Sequence, residues 1–118
     1  MIKIGDKEYQ LVLTTRATKE IALRYGGLEN LGDKLASSEN FEMALNEITW
    51  LITLLANQSV MIHNLNNPNK QLDLLDEDTV DLLTCPKDLV MYKDAIMQAM
   101  FDGTSRQIES EVKKEKAL

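Results

Sequence analysis

The chain has 118 residues, 44% of them hydrophobic and 27% charged, and this composition is typical of a single globular domain with its own core. Its 19 acidic residues exceed its 13 Lys and Arg, which argues against a phosphate-binding surface. Cys85 is the only cysteine, so an intrachain disulfide is excluded, as expected of a protein in a reducing cytosol. No apolar run follows Met1, and we expect no secretory signal.

The first segment, MIKIGDKEYQLVLTT, predicts a β-hairpin. Ile2 and Ile4 alternate with polar residues, and Gly5-Asp6 supplies the turn. The second strand is predicted to carry its apolar residues on one face, and these are Tyr9, Leu11 and Leu13. Because an isolated hairpin is marginally stable in water, we expect it to lie against helices.

Two helices are predicted next. Thr14 or Thr15 caps the first, RATKEIALRYGG, and Gly26-Gly27 ends it. Its apolar stripe consists of Ala17, Ile21 and Tyr25. The second, LENLGDKLASS, is predicted to be short and weak because Gly32 lies inside it.

A long helix is predicted from Ser38 or Asn40 to about His63, followed by an Asn-rich exit loop that begins at His63. It carries no Asp, Glu, Lys or Arg from Ile48 onward, and the uncharged run continues to Asn69. Polar residues at 57–59 interrupt the apolar run well short of the roughly 20 residues that a membrane span needs. Two apolar stripes, one of Leu45, Ile48, Ile52, Leu55 and Ile62 and one of Trp50, Leu54 and Met61, instead predict burial on more than one side.

The rest of the chain predicts a short helix and a longer one. Asp76 caps EDTVDLLT, in which Val80 and Leu83 are expected to face inward. Pro86 suits the first position of the last helix, which is predicted to end at Asp102-Gly103. That helix also has two stripes, one of Leu89, Tyr92, Ile96 and Met100 and one of Val90, Met97 and Phe101.

The sequence therefore predicts an α+β fold that is mostly α-helical. An N-terminal β-hairpin packs on about five helices, and the central one, at about 40–63, is expected to be the longest. Residues 1–103 are predicted to form a single globular domain, and 104–118 a charged tail that is partly disordered or helical.

The residues that usually carry chemistry form no recognisable site, and we predict no catalytic, cofactor-binding or metal-binding residues. The chain has no phosphate-binding Gly loop, no Gly-x-Ser-x-Gly elbow and no Cys/His metal spacing. Cys85 is read as a small buried side chain and His63 as a helix C-terminal residue. The acids at 73–81 lack the Gly of a calcium loop and are read as stabilising a helix N-terminus.

TKEIALRYGGLENLGDKLA has the spacing of a helix-turn-helix and leaves a small DNA-binding regulator as an alternative. Its second helix would present Glu29 and Asp33 with a single Lys34, whereas recognition helices usually carry Arg, Lys, Asn or Gln. We therefore expect no nucleic-acid partner, and no membrane partner either.

The second stripes of the two long helices are the candidate partner-binding residues. The stripe of Trp50, Leu54 and Met61 is either covered by the chain's own hairpin and last helix or left in part for a client or a second subunit, and Met and Trp are favoured at such contact surfaces. The candidates are Trp50, Leu54, Met61, Val90, Met97 and Phe101.

The order of MIKIGDKEYQLVLTTRATKEI, GGLENLGDKL, WLITLLANQ and LTCPKDLVMYKDAIMQAMFDGTSR resembles the tail assembly chaperones of long-tailed phages and prophages of Gram-positive bacteria. The likeness spans roughly residues 1–111 as an order of elements. It implies a non-enzymatic protein of the host cytoplasm, which binds the tape measure protein during tail assembly and is absent from the mature virion.

The resemblance also implies that a frameshifted longer form recruits tail tube subunits. Lys113-Lys114 predicts an A-rich slippery stretch in the gene. Another phage structural protein, such as a head–tail connector or a tail completion protein, stays an alternative, and a homo-oligomer stays open.

Overall fold

The computed structural model describes the backbone of residues 1–31 and 41–117 and the side chains of residues 1–31 and 44–104. Residues 28–31 begin a further helical segment. The named elements are β1 (Ile2–Ile4), β2 (Lys7–Tyr9), α1 (Thr15–Tyr25), α2 (Phe41–Asn66), α3 (Glu77–Leu83) and α4 (Pro86–Ala117). The predicted α+β, mostly helical fold with an N-terminal hairpin is confirmed. The rest of the weak helix and the predicted start of the long helix lie outside the described residues.

The hairpin is antiparallel, with Ile2 opposite Tyr9 and Ile4 opposite Lys7. Gly5 begins its two-residue turn with φ 63°, a region that suits glycine. Ile2 and Ile4 are buried, as predicted. The second strand ends at Tyr9, earlier than predicted, because the chain leaves the sheet there and crosses α2, where the Val12 N–H donates to the Leu55 carbonyl at 3.2 Å.

The start and the end of α1 are capped as predicted. The Thr14 hydroxyl accepts a hydrogen bond from the Ala17 N–H at 3.0 Å, and Gly26 ends the helix in the left-handed region. Ala17 and Ile21 are fully buried, and Tyr25 is partly buried against the same core.

α2, which has no charged residue other than His63 from Ile48 onward, is buried over much of its circumference. At 100° per residue, its buried side chains span an arc of roughly 200°, and they are Ile48, Thr49, Leu51, Ile52, Leu55, Ala56, Gln58 and Val60. The helix contacts α1, α3 and α4, so the prediction of contact on more than one side is confirmed. Ile62 is the exception in its stripe, at 42% exposed. None of the described helices is long and apolar enough to cross a membrane.

α2 continues past the predicted end at His63 to Asn66, so HNLN belongs to the helix. The side chain of Asn67 donates to the His63 carbonyl at 2.9 Å and thereby satisfies one of the last free carbonyls. Asn64 and Asn66 therefore lie within the helix, and Asn67 satisfies its end from outside.

The chain then returns along α2 in an extended segment. The Asn57 side chain donates to the Leu75 carbonyl at 2.6 Å and accepts from the Leu75 N–H at 2.7 Å. Asn64 makes the same pair of bonds with Leu72, at 3.0 and 2.7 Å. Two helical turns rise about 10 Å, and three extended residues also span about 10 Å, so the two Asn side chains match this backbone in register. We call residues 70–76 the strap.

α3 and α4 complete the fold. Asp76 caps α3 and Val80 is fully buried, but Leu83 is 53% exposed, so its predicted inward position is wrong. The predicted stop at Asp102-Gly103 is also wrong, since α4 continues through Gly103 to Ala117. At 32 residues α4 is longer than the 26 of α2, so the central helix is not the longest.

A close packing contact accounts for the glycine inside α4 at position 103. A Cβ built at this position would lie 2.7 Å from the Leu13 Cβ. The glycine therefore lets the segment that follows β2 pack closely against the helix.

Candidate functional site

Three of the six predicted partner-binding residues line one groove on the side of α2 that faces α1. The groove has a volume of about 320 Å³. Its walls come from α1, α2, the strap and the start of α3, and they comprise Arg16, Glu20, Trp50, Thr53, Leu54, Asn57, Gln58, Met61, Leu74 and Glu77. We call it the Trp50 groove. Neither the hairpin nor α4 contributes a lining residue to it.

The Trp50 ring is held from the α1 side. The Arg24 guanidinium carbon lies 4.3 Å from the Trp50 ring centroid, within the range of a cation–π contact. Tyr25 meets the same ring edge-on, with centroids 6.1 Å apart. Arg24 also pairs with Glu47 at 3.2 Å, and Glu47 accepts a hydrogen bond from the Tyr25 hydroxyl.

Tyr25 has an altered ionisation. Burial, and then the hydrogen bond to the Glu47 carboxylate, raises the pKa of Tyr25. The phenol therefore stays neutral and continues to donate to Glu47 across the physiological range. This arrangement orients Trp50 and supplies no acid or base near neutral pH.

The remaining walls of the groove combine packing with satisfied polar groups. Leu54 is partly buried against the core. The Arg16 guanidinium donates a long hydrogen bond of 3.6 Å to the Met61 sulfur. The Gln58 amide donates to the Leu54 carbonyl at 3.1 Å. Among the described residues, no buried side-chain nitrogen or oxygen lacks a hydrogen-bond partner.

Charged side chains lie around the groove. Glu20 comes from α1 and Glu77 from the first turn of α3, while Arg16 is the one cation among the lining residues. Within the part of the chain whose side chains are described, Arg24–Glu47 is the one ion pair. The carboxylates of Glu20 and Glu77 thus have no cationic partner there.

The other three predicted residues form an exposed stripe on α4. Val90, Met97 and Phe101 are 54%, 42% and 64% exposed. At 100° per residue they fall within about 40° of one another. We call them the outer stripe.

The buried side chains of α4 lie on the opposite side of the helix. Leu89, Ile96 and Ala99 are buried in the core, and their mean direction is more than about 120° from the outer stripe. Along its described side chains, α4 is therefore apolar on two sides, and one of them is exposed.

The residues with potential chemistry have structural roles. Cys85 is exposed, so its predicted burial is wrong; its thiol donates to the Asp88 carboxylate at 3.3 Å. His63 lies in the last turn of α2, as predicted, with Nε2 3.0 Å from the Lys70 carbonyl. Glu77 and Asp78 lie in the first turn of α3, as expected of acids that stabilise a helix N-terminus. No group of potential metal ligands is found in the described part of the chain.

The sequence did not identify the groove residues that belong to other elements. Arg16 and Glu20 are four residues apart on α1, yet nothing in their spacing shows which helix they face. Leu74 and Glu77 reach the groove because Asn57 fixes the strap beside α2. The candidate helix-turn-helix has most of its second helix outside the described residues.

No family model, no curated protein and no solved structure matches this chain.

Proposed function

We propose that this chain is a non-enzymatic tail assembly chaperone, which binds the tape measure protein and helps to recruit tail tube subunits during phage tail morphogenesis. The proposal takes its family from the sequence resemblance. The outer stripe of α4 is the structural observation that supports it most directly.

The outer stripe supports a binding role because the fold does not need it. Exposed apolar side chains scattered singly are ordinary, but a line of them on one helix face indicates a contact surface. Val90, Met97 and Phe101 span about 16 Å of α4 at 1.5 Å per residue. An amphipathic helix of a client could cover such a stripe with its own apolar face.

The net charge of −6 fits the same role. A chaperone must expose apolar surface and yet stay dispersed at the concentrations reached during assembly. Mutual repulsion between acidic copies opposes their association through the outer stripe.

If the proposal is right, a very long gene that encodes the tape measure protein should lie just downstream of this one. Co-expression of the two proteins tests the proposal. We expect the tape measure protein to stay soluble and to co-purify with the wild-type chain. Met97→Glu together with Phe101→Glu should abolish that capture, because both side chains lie in the outer stripe. Leu54 is unsuitable for such a charge substitution, since it packs against the core.

Met91→Glu is the matched control. Met91 is 63% exposed on the same helix and lies about 100° around it from Val90. Capture should persist in this variant, and circular dichroism should show all variants equally helical. Persistent capture by the Met97→Glu, Phe101→Glu variant would reject the outer stripe as the binding surface.

Purified virions distinguish the alternatives. A chaperone should be absent from them, whereas a head–tail connector or a tail completion protein should be present. Salt-dependent binding to duplex DNA would instead favour the regulator. In the gene, an A-rich slippery heptamer at the Lys113-Lys114 codons should precede an overlapping downstream frame.

A further inference from the structure

We propose that the Trp50 groove binds a bulky apolar side chain from a helical partner segment that carries Lys or Arg beside it on the same face. This inference rests on the proposed function, and it specifies the chemistry of the client segment that the chaperone recognises.

The size of the groove determines what enters it. Ligand pockets typically measure about 300–1,000 Å³, and the Trp50 groove, at about 320 Å³, is at the lower end of that range. It therefore has room for side chains and not for a whole helix. A helical partner would lie over the groove and insert an anchor residue.

The polar groups in the groove are already used within the fold. Thr53 donates to the Thr49 carbonyl at 2.8 Å, and Asn57 is engaged by the backbone of Leu75. Gln58 donates to the Leu54 carbonyl and also accepts from the Thr14 hydroxyl. The groove thus offers few free hydrogen-bonding groups, so an apolar anchor fits it better than a polar one.

The charges around the groove select for a cation. Glu20 and Glu77 have no cationic partner in the described part of the chain, while Arg16 contacts the Met61 sulfur. Glu77 also belongs to a stretch from Gln71 to Pro86 that contains five acids and no Lys or Arg. A Lys or Arg beside the anchor would meet a negative field there.

The same charges disfavour a second copy of this chain as the occupant. Each copy carries a net charge of −6, and two such molecules repel one another. We therefore assign the groove to a cationic amphipathic segment of another protein.

Trp50 provides the test, because it is the only tryptophan in the chain. Two Trp-free helical peptides of about 20 residues, with the same Leu and Phe stripe, are titrated into the full-length protein. One carries Lys and Arg beside the stripe and the other carries Glu. We expect the cationic peptide to shift the Trp50 emission and to bind less tightly as salt rises.

Charge removal at the groove should weaken that binding. Glu20→Gln with Glu77→Gln should raise the Kd of the cationic peptide about three- to tenfold, since each exposed pair contributes little by itself. Asp94→Asn with Asp102→Asn removes the same charge from α4, outside the groove, and should leave the Kd within about twofold.

Three results would overturn the inference: equal binding of the acidic peptide, an unchanged Kd in the Glu20→Gln, Glu77→Gln variant, or a Trp50 shift produced by protein concentration alone. Capture of the tape measure protein that is unaffected by the groove variant would leave the chaperone function standing and reject the groove. Binding of the cationic peptide at the groove without capture of the tape measure protein would support the groove and reject the chaperone function.

Discussion

Two asparagine side chains hold the strap against α2. Asn57 pairs with both backbone groups of Leu75, and Asn64 does the same for Leu72. A side-chain amide is suited to this because it offers a donor and an acceptor side by side. The strap thereby obtains backbone hydrogen bonds without belonging to a sheet.

Asn57→Ala should destabilise the protein by about 2–4 kcal/mol, because two partly buried backbone groups of Leu75 lose their partners. Asn64→Ala should cost about 1 kcal/mol or less, since its bonds with Leu72 are exposed to water. Urea unfolding gives both values. Equal losses of unfolding free energy in Asn57→Ala and Asn64→Ala would show that burial does not determine the strength of these side-chain hydrogen bonds.

Asp76 links stability to pH. Hydrogen bonds from Thr79 lower the pKa of Asp76 below its ordinary 3.8. Its carboxylate therefore stabilises the fold above about pH 4, and this contribution is lost as pH falls further, through the lowered pKa of the folded state. The stability advantage of the wild type over Asp76→Asn should accordingly narrow as pH falls below about 4.

Thermal unfolding at several pH values measures how the stability difference between the wild type and Asp76→Asn changes with pH. Asp78→Asn is the control, because Asp78 lies in the same first turn without the capping hydrogen bond. A difference between the wild type and Asp76→Asn that does not change with pH would contradict the capping role.

At the scale of elements, α4 depends on one close contact. Gly→Ala inside a helix usually stabilises it by about 1 kcal/mol. At Gly103 the new Cβ would lie 2.7 Å from the Leu13 Cβ, which belongs to the base of a side chain and cannot rotate away. Gly103→Ala should therefore lower the free energy of unfolding.

The double variant Gly103→Ala, Leu13→Ala tests this explanation. The shorter side chain relieves part of the clash, so the cost of Gly103→Ala should be smaller in the Leu13→Ala background than in the wild type. Additive effects in a double-mutant cycle would show that the part of the Leu13 side chain beyond its Cβ does not oppose the new methyl group.

At the scale of the whole molecule, α2 is the centre of the fold. It contacts α1, α3 and α4, and its middle turns hold fully buried side chains at Leu51, Ile52 and Leu55. Hydrogen exchange should therefore be slowest at the amides of these turns, because only global unfolding exposes them. The hairpin amides should exchange faster, even though the Tyr92 hydroxyl donates to the Lys3 carbonyl at 2.6 Å.

Amide exchange followed by NMR at neutral pH provides the measurement. The backbone amides of Lys7 and Tyr9 serve as the comparison within the same sample. Hairpin amides as slow as those of Leu51 and Ile52 would show that the hairpin and α2 unfold as one cooperative unit.

The sequence by itself determined what local chemistry controls. Gly5-Asp6 specified the turn, and Pro86 specified the first position of α4. Thr14 or Thr15, and later Asp76, specified where two helices begin. Each of these residues acts on backbone groups within a few residues of itself. The apolar spacing also predicted that α2 would be buried on more than one side, since burial on each side requires its own set of apolar residues.

Only the tertiary structure decided which groups meet across the chain. From the sequence, Gly103 was predicted to end a helix, Asn57 to interrupt the apolar run of the long helix, and Asn64 to lie in a loop. The packed structure instead places Gly103 against Leu13 and both Asn side chains on the strap backbone. The Trp50 groove likewise combines residues of α1, α2, the strap and α3. Such contacts depend on how packed elements are placed relative to one another, and a one-dimensional pattern of apolar and polar residues does not specify that placement.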